Sequence, residues 1–164
     1  MQTELDDVTR RAYGFLAQFF EPMSPAERMA LHQRLMPTTS DYDRVFVAGA
    51  AAQARDAYAP LWRGMQPFIL GPKDAVLRVF AAYARDFASE NPHSREFPAG
   101  YAQLAELLQP EVIWVGFRVT TAGESNGTSF DGLVLIDDRF VMFPKAFRYV
   151  RKPDVDAVSE AWSK

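Results

Sequence analysis

Cysteine is absent from the 164-residue chain, and histidine occurs only twice, at His32 and His93. The first absence excludes disulfides, thiolate zinc sites and thiol catalysis. The second leaves little material for a transition-metal centre. No stretch approaches the roughly 20 apolar residues that span a bilayer. The N-terminus MQTELDDVTRR is acidic and amphipathic, without the basic start and apolar run of a secretory signal. A formal net charge of −3 provides no electrostatic footprint for nucleic acid. The chain is therefore expected to be soluble and cytoplasmic, to carry no metal or cofactor, and to bind neither membrane nor nucleic acid. Its oligomeric state is not legible.

What is present describes a globular protein. An apolar fraction of 48% and a charged fraction of 24% are ordinary for one, and the length corresponds to a single domain, 1–164, able to bury a core without staples. The densest β-forming sequence runs from Glu111 to Tyr149. It reads EVIWVGFRVT, a polar loop, SFDGLVLI, the pair Asp137-Asp138, and RFVMF. Strict alternation puts Ile113, Val115, Phe117 and Val119 on one face of the first strand, and Trp114, Gly116, Arg118 and Thr120 on the other. In the second it groups Phe130, Gly132, Val134 and Ile136 against Asp131, Leu133 and Leu135. Both faces are apolar near the middle, so the sheet should be covered on both sides, with Trp114 buried. Asp137-Asp138 suits a two-residue hairpin turn, and Pro144 should end the third strand.

The N-terminal half reads as helices. Leu5, Val8, Ala12, Phe15, Leu16, Phe19 and Phe20 form one stripe over Glu4 to Phe20, with Thr3 and Asp6 resembling a cap. Ser24-Pro25-Ala26-Glu27 is a capping box with proline at the first helical position. The helix it starts presents Met29, Leu31, Leu35 and Met36. A short helical turn, capped by Thr39 or Ser40, should bury Tyr42, Val45 and Phe46. An alanine-rich helix follows from Ala48 to Gly64, with Pro60 kinking it or marking its last turn. Ala75 to Phe87 fits either a helix face or an alternating strand. Three strands make a small sheet for this length, which favours a strand. Ala99 to Leu108 reads as a short helix, and Asp154 to Lys164 as a terminal one. The fold class is α+β: N-terminal helices packed on a C-terminal antiparallel sheet of three or four strands.

Candidate site residues lie in and around the sheet. Lys145 and Arg148, close to a strand end, with Arg118 from the first strand, would suit a phosphate or carboxylate. Alternatively they are surface cations, or Arg148 pairs with Asp131 or Glu96. Asp131 on a partly apolar face would make a general base, or is a strand-end carboxylate that is hydrated or paired with Arg118. Arg95, Glu96 and Tyr101 sit in a turn-rich loop of a kind that makes contacts, or that plugs the core. No Ser-His-Asp set, calcium loop, phosphate loop or dinucleotide pattern is complete.

The segments Phe97-Pro98-Ala99-Gly100-Tyr101, Asp131-Gly132-Leu133-Val134 and Phe143-Pro144-Lys145-Ala146-Phe147-Arg148 resemble uncharacterised bacterial proteins with FPxGY, DGLV and FPKxxR segments. That resemblance covers about a third of the chain and implies no activity. In element order the chain is loosely similar to the nuclear-transport-factor-2-like cone fold, which includes pocket enzymes and pure binding modules. Two functions follow as expectations. One is a non-enzymatic binding or protein-interaction module; the other is a cone-like pocket protein or enzyme taking a small anionic ligand. Replacing the cap, Ser24→Ala, is expected to cost about 1 kcal/mol. An unchanged urea midpoint would remove the cap.

Overall fold

The computed structural model describes residues 2–89 and 91–151. Four helices come first: α1 (Gln2–Ala17, continued by a 3-10 turn, Gln18–Phe20), α2 (Pro25–Gln33), α3 (Thr39–Val45) and α4 (Ala48–Arg63). The strands are β1 (Val76–Tyr83), β2 (Ile113–Thr120), β3 (Gly127–Ile136) and β4 (Arg139–Met142). Between β1 and β2 lie a 3-10 turn (Ala84–Ala88) and the short helix α5 (Gly100–Leu104), and α6 (Ala146–Tyr149) follows β4. The strands form one antiparallel sheet in the order β1-β2-β3-β4. The α+β expectation holds, and the ambiguous stretch at 75–87 is a strand as far as Tyr83. Its residues pair with β2 from Val76↔Thr120 to Tyr83↔Ile113. The expected terminal helix, 154–164, lies outside the described residues.

Local chemistry sets the helix boundaries. Ser24 caps α2: its hydroxyl accepts from the Glu27 N–H at 3.1 Å, and its own N–H donates to the Glu27 carboxylate at 3.4 Å. For α3 the cap is Thr38, not Thr39 or Ser40, because Asp41 reaches back to accept the Thr38 N–H at 2.7 Å. Thr3 and Asp6 are no cap, since α1 already includes Gln2. Met36 does not join the buried stripe of α2. The helix ends at Gln33, Leu35 stays in the core, and Met36 turns to solvent. Pro60 falls in the last turn of α4, where the Gly64 N–H reaches the Pro60 carbonyl at 3.2 Å.

The sheet is covered on both faces, with Trp114, Val115 and Phe117 all fully buried. On the Phe117 face, ring contacts run through Phe130, Phe68, His32, Phe19 and Phe15 to Phe140, which brings α1 and α2 over the sheet. On the other face Trp114 meets Phe46, Tyr101 and Phe143, and Tyr58 of α4 packs on Phe143. The expected alternation in β3 fails at one step. Val115 pairs with Leu133 and Phe117 with Phe130, so Asp131 and Gly132 together oppose Gly116. This bulge puts Phe130 and Leu133 on the same face and turns Asp131 toward Trp114.

His32 is fully buried and joins α2 to the segment before β1. The Phe68 and Ile69 amides donate to its Nε2 at 3.1 and 3.0 Å, which places the ring proton on Nδ1, where it is donated to the Arg28 carbonyl at 2.8 Å. A protonated ring has no acceptor left for those two amides. Burial pushes the imidazole below its ordinary value, the Arg28 carbonyl opposes that, and the Arg28 charge adds to it. A histidine depressed in the folded state lets the unfolded chain bind the extra proton, so stability falls as pH drops below about 6.5. Going from about pH 7 to about 5.5 should cost up to about 1 kcal/mol through this group. The loss should shrink in His32→Gln, measured by urea denaturation; an undiminished loss would clear His32 of the effect.

Candidate functional site

The three segments singled out in the sequence meet in one place. Phe97 and Tyr101 flank the start of α5, Asp131 and Gly132 form the bulge of β3, and Phe143 to Arg148 lead out of β4 into α6. Asp131, only 6% exposed, is the centre. Its Oδ1 accepts the Tyr101 hydroxyl at 2.7 Å and the Lys145 N–H at 3.1 Å. Tyr101 lies thirty residues from Asp131 in sequence, so this contact closes a long loop onto the sheet.

Each odd backbone feature here has a contact that requires it. Gly132 takes φ +96, and a Cβ at that position would run into the Phe143 carbonyl. The glycine thus lets the chain after β4 come close enough for the Phe143 N–H to reach the Gly132 carbonyl at 2.7 Å. Lys145 is left-handed, φ 50, where its N–H is held by Asp131. Gly100 leaves room for the Phe147 ring, which a Cβ would meet at 2.7 Å. Tyr58 donates to the Pro144 carbonyl at 2.8 Å, tying α4 to the same turn. Around these contacts Tyr101 packs on Phe87, Phe97, Trp114 and Phe147.

Both phenols are strongly held in the neutral form. Burial raises the Tyr101 hydroxyl well above its ordinary value, and the Asp131 charge and hydrogen bond add to this. Burial likewise raises Tyr58, helped by the charges of Tyr149 and Asp131. They act as donors that hold the turn.

The expected anion set is spread over this region without a shared partner. Lys145 and Arg148 are exposed, and Arg148 lies over the Phe147 ring at 5.8 Å. Arg118 donates to the Ser129 hydroxyl at 3.1 Å, so it does not neutralise Asp131. It stands directly opposite Arg78 on β1, a like-charge pair, and Arg78 is in turn paired with Glu96. Neither carboxylate considered for Arg148 takes it: Glu96 holds Arg78, and Asp131 holds Tyr101 and the Lys145 amide. Arg95 and Tyr101 border an open cleft of about 320 Å³, with Phe87 and Phe97. Among the described residues no group of three or more His, Asp or Glu side chains could hold a metal ion, and no helix is long and apolar enough to cross a membrane.

No protein-family model matches this chain, and neither a curated protein nor a solved structure is significantly similar to it.

A second concentration of polar groups escaped the sequence reading. The hairpin tip is held from two sides, Asp137 by a bidentate Arg44 at 2.7 and 2.9 Å and Asp138 by Arg11 at 3.4 Å. Only Asp137 takes positive φ, 55, so the turn is not type I′. Arg139, the next residue, forms a two-point pair with the fully buried Asp41 of α3. Burial alone would raise the Asp41 carboxyl, but the Arg139 fork and the Thr38 amide outweigh it and leave it below its ordinary value. The one sequence signal was Arg10-Arg11 on the polar side of the first helix, which has no meaning until the hairpin is placed beside it.

Tyr101→Phe removes the hydroxyl from a buried carboxylate and should cost about 1–3 kcal/mol. Gly132→Ala forces a side chain into the Phe143 carbonyl at a positive φ and should cost more than about 2 kcal/mol. Urea denaturation measures both. Native stability in either variant would disprove the role of Asp131 and its bulge as the pin of the turn after β4.

Proposed function

We propose that this chain is a non-enzymatic, cytoplasmic protein-interaction module. One observation carries the reading. Among the described residues the buried carboxylates and imidazole are those of His32, Asp41 and Asp131, and each is engaged by the fold itself. His32 holds two amides and a carbonyl, Asp41 holds Arg139 and Thr38, and Asp131 holds Tyr101 and Lys145. A general acid or base needs a titratable group within reach of a substrate, and these three are occupied in holding backbone and side-chain donors of the fold. The surface, by contrast, offers open clefts and exposed guanidiniums, which suit recognition of another protein.

The competing reading is a cone-like pocket protein that holds a small anion with Arg118, Lys145 and Arg148, Asp131 serving as base. The two separate in solution. The interaction module predicts a complex of fixed stoichiometry when the tagged chain is isolated from the cells it comes from and weighed by native mass spectrometry. It also predicts no saturable thermal stabilisation by phosphate or citrate that depends on Lys145 and Arg148. Lys145→Ala/Arg148→Ala should leave the urea midpoint unchanged, since both side chains are exposed. A saturable shift with either anion that disappears in the double variant would transfer the assignment to the pocket reading.

A further inference from the structure

In a chain of net charge −3, one cleft gathers four arginines. It has a volume of about 390 Å³ and lies between α1, the end of α2 and the β3–β4 hairpin. Arg10 and Arg11 come from α1, Arg34 from the end of α2 and Arg139 from β4. The floor is apolar, formed by Phe15 stacked on Phe140 at 5.3 Å. Gly14 also lines the cleft, and a Cβ there would meet nothing within 4 Å. We propose that this cleft docks an acidic peptide segment of a protein partner, its carboxylates on Arg10, Arg11 and Arg34 and a neighbouring apolar side chain against Phe15. The proposal rests on the interaction-module reading and names the chemistry of the partner.

Three of the four arginines already hold carboxylates of the chain itself. Arg10 is paired with Asp7 at 3.3 Å, Arg11 with Asp138 at 3.4 Å, and Arg139 with Asp41. The Asp7 and Asp138 pairs are long and solvent-exposed, of the kind that contributes little to stability and exchanges easily. Arg34 has no carboxylate partner among the described residues; its guanidinium lies 5.8 Å above the Phe15 ring, so it bridges the charged rim and the apolar floor. Arginine forks hold a phosphate as well as a carboxylate, and a phosphate site at a helix start adds free backbone N–H groups. Here Arg10 to Phe15 are inside α1, and α2 contributes its C-terminal end. The donors are therefore side-chain forks spread over three elements, a geometry for several carboxylates along a strand of peptide. Asp138, nearly fully exposed at the mouth, occupies the place of one of them.

The test is fluorescence anisotropy with a labelled peptide of aspartates and glutamates around one phenylalanine, against the same peptide with asparagine and glutamine. The acidic peptide should bind at least about tenfold more tightly and weaken as salt is added. Arg34→Gln and Arg10→Gln should each weaken it by about five- to tenfold, and Asp138→Asn should tighten it by removing the competing carboxylate. Arg63→Gln, on the exposed end of α4, should change nothing. The urea midpoint, taken for each variant, should stay at the wild-type value. Equal binding of the two peptides, or an unchanged affinity in Arg34→Gln, overturns the proposal. So does displacement of the peptide by micromolar pyrophosphate, which would make the cleft a small-phosphate site. Failure here with the stoichiometric complex intact counts against the cleft alone, whereas absence of any complex counts against the module reading.

Discussion

The carboxylate of Asp131 sits almost out of reach of water, and burying such a group without partners would cost several kcal/mol. Two donors offset that cost, the Tyr101 hydroxyl and the Lys145 amide. They come from different parts of the chain, so satisfying one side chain fixes α5, the bulge of β3 and the turn after β4 relative to one another. The bulge is part of the same device. Without the extra residue, Asp131 would not face Tyr101, and without a glycine at 132 the Phe143 carbonyl could not approach. Apolar burial alone is non-directional. It would hold these segments against the sheet without selecting their register.

Two other buried polar groups do the same work on other contacts. His32 fastens the segment at 68–69 to α2 through two amides on one ring nitrogen. Asp41 closes the first turn of α3 and at the same time holds Arg139 of β4. Each thus serves a local backbone need and a long-range one together. Among the described residues, the buried His32, Asp41 and Asp131 are thus all engaged within the fold. What remains available lies on the surface, where the hairpin tip, α1 and the end of α2 bring guanidiniums around an aromatic floor. Of the four cleft arginines, Arg139 is already held by the buried Asp41, which leaves Arg10, Arg11 and Arg34 on the rim.

Much of this fold is determined by the sequence alone, because the signals are short-range. The stripe from Leu5 to Phe20 is fixed by helical periodicity, and the start of α2 by the Ser24–Glu27 reciprocity, which needs only four consecutive residues. The two-sided burial of Trp114 follows from apolar residues on both faces of its strand. Other features were decided only by tertiary structure. Val76–Tyr83 carries both periodicities, and its pairing with β2 made it a strand. The bulge at Asp131–Gly132 shifts the face of everything beyond it, yet it shows only when β3 is counted against β2. The segments at 97–101, 131–134 and 143–148 were visible as segments, but their meeting on one carboxylate depends on a contact thirty residues long in sequence. The arginine cleft is assembled from α1, α2 and a hairpin that share no sequence neighbourhood. Periodicity and capping are properties of neighbours along the chain, whereas the partner of a buried charge is chosen by whatever the folded chain brings beside it.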